Sequence, residues 1–212
     1  MKGLILNNLY SVEKSIKSSI LLTIAGVILL LLSQTSIALR IAAFLPFLLI
    51  PVNALEVLKH DIKSGWGRFE ITLPVTRKKI IGSKYMTFLL LFFLSILITF
   101  MLFYLANVFI FPTFTVVFFN YLLRGMGLIL CVAALTFPLT YLLGIEKADS
   151  ISMSSTIFAL GMFFLVLIVL QAMIGTPENF DEIFSATFSI IAIVLFVVSY
   201  VVSRMIYMKK EF

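Results

Sequence analysis

Charge is scarce in this chain. Its 212 residues include 16 basic and 10 acidic side chains, 12 % in all, about half the share of a typical soluble domain. Cysteine is nearly absent. Cys131 alone cannot form an internal disulfide, and its apolar surroundings fit a small buried side chain. One histidine, His60, and no clustered cysteines exclude the usual zinc sites. The apolar segments carry no paired acids and no Ser/His dyad, which excludes intramembrane hydrolysis. They also lack ionisable groups at mid-segment, so the side chains of a proton-coupled pump are missing and energy is expected to enter from outside this chain. Ile81-Gly82-Ser83-Lys84 ends like a phosphate loop, but the glycine that such a loop needs upstream is missing. No cofactor, metal or nucleic-acid partner is expected. No small-residue cleavage signal follows the first apolar stretch, so no signal peptide is expected.

Hydrophobic residues make up 62 % of the chain, with a mean hydropathy of +1.17. The apolar runs are continuous rather than alternating, which argues for helices and against a transmembrane barrel. Six spans are predicted, at 17–33, 37–58, 85–106, 121–143, 151–172 and 184–207. The first is short for a bilayer about 30 Å thick and needs residues before Lys17. Pro46, Pro51 and Pro138 are expected to kink spans two and four. Asn53, Asn107 and Gln171 are expected to hydrogen-bond between helices. The nearly apolar connection 107–120 reads as interfacial or re-entrant. The fold class is therefore an all-α polytopic membrane protein forming a single domain over 1–212.

Orientation follows from the basic residues. With both termini cytoplasmic, 14 of the 16 lie on the inner side, a strong positive-inside pattern. The last outer loop holds Glu178, Asp181 and Glu182 and no cation. Arg40 and Arg124 are the exceptions, expected to snorkel to the outer interface.

Two stretches on the basic side are amphipathic. Ile5, Leu9, Val12 and Ile16 stack on one helical face, as in a helix lying on the membrane surface. The second stretch is the segment 56–84, which holds ten of the 26 charged residues, the only histidine and the only tryptophan, Trp66. Within it Ile62, Trp66, Phe69 and Leu73 are spaced 4, 3, 4, predicting one apolar face of a short helix over 63–73. Pro74 is expected to stop that helix, and Thr76 to open the next one, through Arg77-Lys78-Lys79 into span three. A segment of this composition is expected to meet something outside the bilayer.

The same residues resemble a known pattern. Asp61, Ser64-Gly65-Trp66, Thr72-Leu73-Pro74-Val75-Thr76-Arg77 and Ser83-Lys84-Tyr85 are similar to the cytoplasmic loop of small bacterial ABC-2-type exporter permeases. The ending Ser203-Arg204-Met205-Ile206-Tyr207 through Lys209-Lys210-Glu211-Phe212 resembles that family's close. The resemblance implies a six-span, type V exporter-like permease in the bacterial cell membrane. It would pair with a second permease chain, identical or not, and be driven by a cytoplasmic ABC ATPase dimer, so this chain would not itself be an enzyme. It further implies an elbow helix at 1–16 and an ATPase-coupling loop at 59–84 whose contact residues are Lys63, Trp66, Arg68, Phe69, Glu70, Leu73, Pro74 and Arg77. A second, smaller contact is implied at Glu146, Lys147 and Asp149. The chain has no large extracellular domain, in contrast to larger family members. Short, Phe-rich permeases of this build are similar to exporters of amphipathic peptides such as phenol-soluble modulins and to lantibiotic-immunity permeases. The 22 phenylalanines suit an apolar or amphipathic cargo, and equally suit side chains that face lipid. The alternatives are a membrane component that captures a small substrate for an importer, and an immunity or structural protein that binds no ATPase.

Overall fold

Among the described residues, six helical segments are long and apolar enough to cross a membrane, at Glu13–Leu32, Ser36–Asp61, Arg77–Phe109, Val117–Leu143, Ala148–Ile174 and Phe180–Lys209. The computed structural model of the chain describes residues 2–33, 35–66, 69–70, 74–109, 116–144 and 147–209. Its helices are α1 (Lys2–Ser11), α2 (Glu13–Leu32), α3 (Ser36–Leu49), α4 (Val52–Lys63), α5 (Arg77–Phe109), α6 (Val116–Leu143), α7 (Ala148–Ile174) and α8 (Phe180–Lys209). Each predicted span lies within or closely matches one of these segments. Span one gains the expected residues before Lys17. The connection 110–115 lies outside the described residues.

The second span is broken where its prolines predict. Pro46 lies inside α3, and the helix stops at Leu49. Pro51 cannot donate a backbone hydrogen bond, and α4 restarts at Val52. Carbonyl groups at such a break need partners at membrane depth. Asn53 supplies them, since its Nδ2 donates to the carbonyls of Leu49 at 2.9 Å and Ile50 at 3.0 Å. The same Nδ2 reaches Ser19 Oγ on α2 at 3.0 Å, which bears out the expected interhelical bond for this residue. Gln171, by contrast, is exposed near the end of α7. In the fourth span, α6 runs through Pro138 without a break.

The broadest contact in the bundle is between α6 and α8. Gly127 makes it possible, because a Cβ there would lie 2.6 Å from Cε1 of Phe188, a ring with no exposed surface. Small residues at such contacts let helices approach closely. Phe163 packs edge-on against Phe184 and Phe188, which brings in α7. Nearer the opposite end of the bundle, Tyr85 of α5 stacks on Phe137 of α6 at 4.2 Å. Its hydroxyl bonds Ser199 and Ser203 of α8 at 2.7 and 2.8 Å. Three spans therefore share one buried, satisfied phenol.

At the acidic end, the end of Glu178, Asp181 and Glu182, Arg124 is only 9 % exposed. Its Nε donates to Ser185 at 2.9 Å and its Nη2 to Asp181 at 2.6 Å, while the guanidinium lies over Tyr121 and Phe184. Arg40 is exposed and also lies over Tyr121, at 5.1 Å. Asp181 is 73 % exposed, so its pairing is screened. Asp181→Asn is expected to cost less than about 1 kcal/mol, and Arg124→Ala, which removes both ring contacts and the Ser185 bond, about 1–3 kcal/mol. Thermal unfolding of the two variants in detergent checks the order.

Candidate functional site at the basic end

The helix of span two does not stop at the loop. α4 continues through Ile62 to Lys63, and Gly65 ends it with φ at +72°, a conformation that glycine adopts without steric cost. This corrects the predicted helix over 63–73. Ile62 and Lys63 are the last turn of α4, so the four-residue apolar stripe is split by the turn at Gly65. Trp66, Phe69 and Glu70 follow in helical conformation, with the Phe69 N–H on the Gly65 carbonyl at 3.4 Å. Arg68 and Leu73 lie outside the described residues. The next helix, α5, starts at Arg77 as expected after Pro74 and Thr76, and the Thr76 carbonyl accepts from Lys79 at 2.8 Å.

The centre of the site is Lys84 on α5. α5 has 33 residues, hence a length of about 50 Å against about 30 Å of hydrocarbon. Its first turns therefore have room to extend beyond the apolar layer. Lys84 is nonetheless 3 % exposed, because its ammonium is enclosed by three elements. It ion-pairs with Asp61 at the end of span two and donates to Asn8 Oδ1 of α1 at 2.7 Å. Glu70 approaches it from the loop, with Oε2 at 3.9 Å. Asn8 also donates to Ser83 and Thr87 at 3.4 and 3.3 Å. One ammonium thus ties α1, α4, the loop and α5 together.

Glu70 faces inward. The expectation that it faces a partner is corrected, since it is 2 % exposed. Burial raises its carboxyl above the usual range, Lys84 opposes that shift, and Asp61 adds to it. Its Oε1 has no hydrogen-bond partner among the described residues, nor does Trp66 Nε1.

The remaining predicted positions divide by exposure. Phe69 is 54 % exposed and rests its ring against Trp66 at 5.3 Å. Pro74 is exposed and Trp66 half-buried. Arg77 donates from Nη1 to the Met208 carbonyl at 3.3 Å, which places the loop's exit beside the end of α8. Asp149, in the first turn of α7, accepts from Lys59 of α4 at 2.7 Å, so the two predicted contact regions are adjacent. Lys147 is exposed, and Glu146 lies outside the described residues.

Two features were missed in the sequence. Asn8 is the most buried residue of α1 after folding, at 1 %, although the apolar stripe puts Ile5 and Leu9 at the centre of the buried face. Lys84 reads as one more inner cation. Opposite charges on Asp61 and Lys84, at the facing ends of two consecutive spans, are the signal that could have found the pair. The two stretches that carry the family resemblance also meet in space. Tyr85 bonds Ser203, and Arg77 donates to the Met208 carbonyl.

This arrangement has no grouping of three or more metal-ligating side chains among the described residues. It is a buried ionic anchor beneath a loop with an exposed aromatic tip, on a bundle built to cross a membrane. The fold and site define a multi-pass helical membrane protein. Residues 3–208 match the family model described as ABC-2 family transporter protein, and the chain belongs to that family of membrane transport components. No curated protein and no solved structure matches it significantly.

Proposed function

We propose that this chain is the permease subunit of an ATP-binding-cassette exporter, with both termini cytoplasmic, and that the loop 59–84 receives the push of a separate ATPase. One observation carries this reading: Lys84 anchors the loop to α1, α4 and α5 while Phe69 stays exposed at its tip. A docking element needs an accessible contact and a stiff connection to what it moves. Force on Trp66–Phe69 passes through Glu70 and Asp61 to spans two and three, and the Pro46–Pro51 break gives span two a place to bend. Lys59 and Asp149 extend the contact to α7. The ATPase acts as a dimer on two permease chains. The cargo is apolar or amphipathic, a peptide of the kind named above, because the middle of each span lacks ionisable side chains. Export is the direction that the resemblance implies.

The test is reconstitution in liposomes with an ABC ATPase that co-purifies with the chain. Trp66→Ala, Phe69→Ala and Arg68→Glu should each weaken docking by about 2 kcal/mol, roughly 30-fold in affinity, if they are central contacts. Coupled ATP hydrolysis should fall with docking. Intact complex formation and coupling in all three variants would overturn the role of the loop, and failure of the unmodified chain to bind any ABC ATPase would favour a protein that works without one.

A further inference from the structure

The anchor under the loop has an excess of negative charge. Lys84 is its one ammonium, and two carboxylates, Asp61 and Glu70, share it. Asp61 takes the direct ion pair and Asn8 takes another donor position of the amine. Glu70 is left at 3.9 Å with an oxygen that no donor reaches among the described residues. A second buried carboxylate with no cation of its own is costly in the ionised form. Two acids around one base titrate as a unit, and the extra proton rests on the acid with the weaker bond.

We propose that Glu70 is a proton-binding site that latches the loop to the membrane bundle: protonated Glu70 stays packed against Lys84, and ionised Glu70 swings out with the loop. Among the described residues, each neighbouring element brings its own groups to this position. α4 brings Asp61 and, exposed beside it, His60. α5 brings Lys84 and Arg77, α6 brings Tyr141, α8 brings Tyr207, and α1 brings the neutral Asn8. Of these, only Lys84 and Arg77 are fixed cations. Arg77 donates to the Met208 carbonyl, and Lys84 is the cation that approaches both acids.

The sign follows from the raised carboxyl of Glu70. The packed state binds its proton more tightly than the released state does. Packing is therefore complete below the ordinary carboxylate value of 4.5, and is lost as pH rises through the higher value of the packed group. Acidification of the space at the basic end holds the loop down, and alkalinisation frees it.

Trp66, the chain's only tryptophan, lies one helical turn before Glu70 and reports the change. Emission of the full chain in lipid nanodiscs is followed from about pH 4 to about pH 8. A one-proton red shift with its midpoint above 4.5 is expected for the unmodified chain. Glu70→Gln should keep the short-wavelength emission across the range. Asp61→Asn gives Glu70 the ammonium to itself, ionised and packed, and should remove the shift above the ordinary carboxylate range. A flat unmodified chain, or a Glu70→Gln variant that titrates like it, overturns the proposal. No ATPase is present in this test, so its outcome is separate from that of the docking role.

Discussion

Lys84→Met is expected to destabilise the packed bundle by about 3–5 kcal/mol, the usual cost of removing one partner from a buried ion pair. The side chains of Lys84, Asp61 and Glu70 are 3 %, 8 % and 3 % exposed, so water cannot compensate the stranded acids. Asn8 also loses the ammonium that donates to its Oδ1, and α1 keeps only the two longer bonds of Asn8 to Ser83 and Thr87 on α5. The loss should appear as a fall in the unfolding temperature in detergent and as a smaller yield of folded protein from membranes. The triple variant Lys84→Met with Asp61→Asn and Glu70→Gln leaves no charge to strand and should recover most of the stability. A single variant as stable as the parent chain would mean that the ammonium is not the anchor.

The second large effect is expected at Gly127. Gly127→Ala places a methyl 2.6 Å from the Phe188 ring, about 1 Å inside ordinary carbon contact. The ring is fully buried and held between Phe163 and Phe184, so it has little room to move. Overpacking of this kind costs about 1–3 kcal/mol, and Gly127→Val should cost more. Combining Gly127→Ala with Phe188→Leu should restore part of the loss. Equal destabilisation by Gly125→Ala is not expected, since there the nearest ring atom is 3.0 Å away and belongs to another helix, α3. Unfolding temperatures of the single and double variants decide it.

The spans were legible because length and hydropathy are local properties, and the break in span two because proline acts on its own helix. The site was legible in part. Composition marked the segment 56–84, and Pro74 and Thr76 marked the start of α5. What local pattern could not supply is pairing across the fold. Lys84 meets Asp61 across 23 positions and Asn8 across 76, and no periodicity joins them. The stripe Ile62–Leu73 misled for a related reason. Its spacing assumes an unbroken helix, and Gly65 turns the chain in its midst. Glu70 is a partner contact in what the resemblance implies, whereas Lys84 and Asp61 of other elements surround it in the fold.

The central claim is that the loop's aromatic tip meets an ATPase. It is tested most directly by placing a photo-reactive phenylalanine analogue at position 69 of the full chain, in membranes that also contain an ABC ATPase that co-purifies with it. The account predicts an adduct joining this chain to the ATPase, absent when the analogue replaces Ile193, which faces outward on α8. Adducts only to lipid or within the chain itself, in a preparation where the two proteins co-purify, would contradict it.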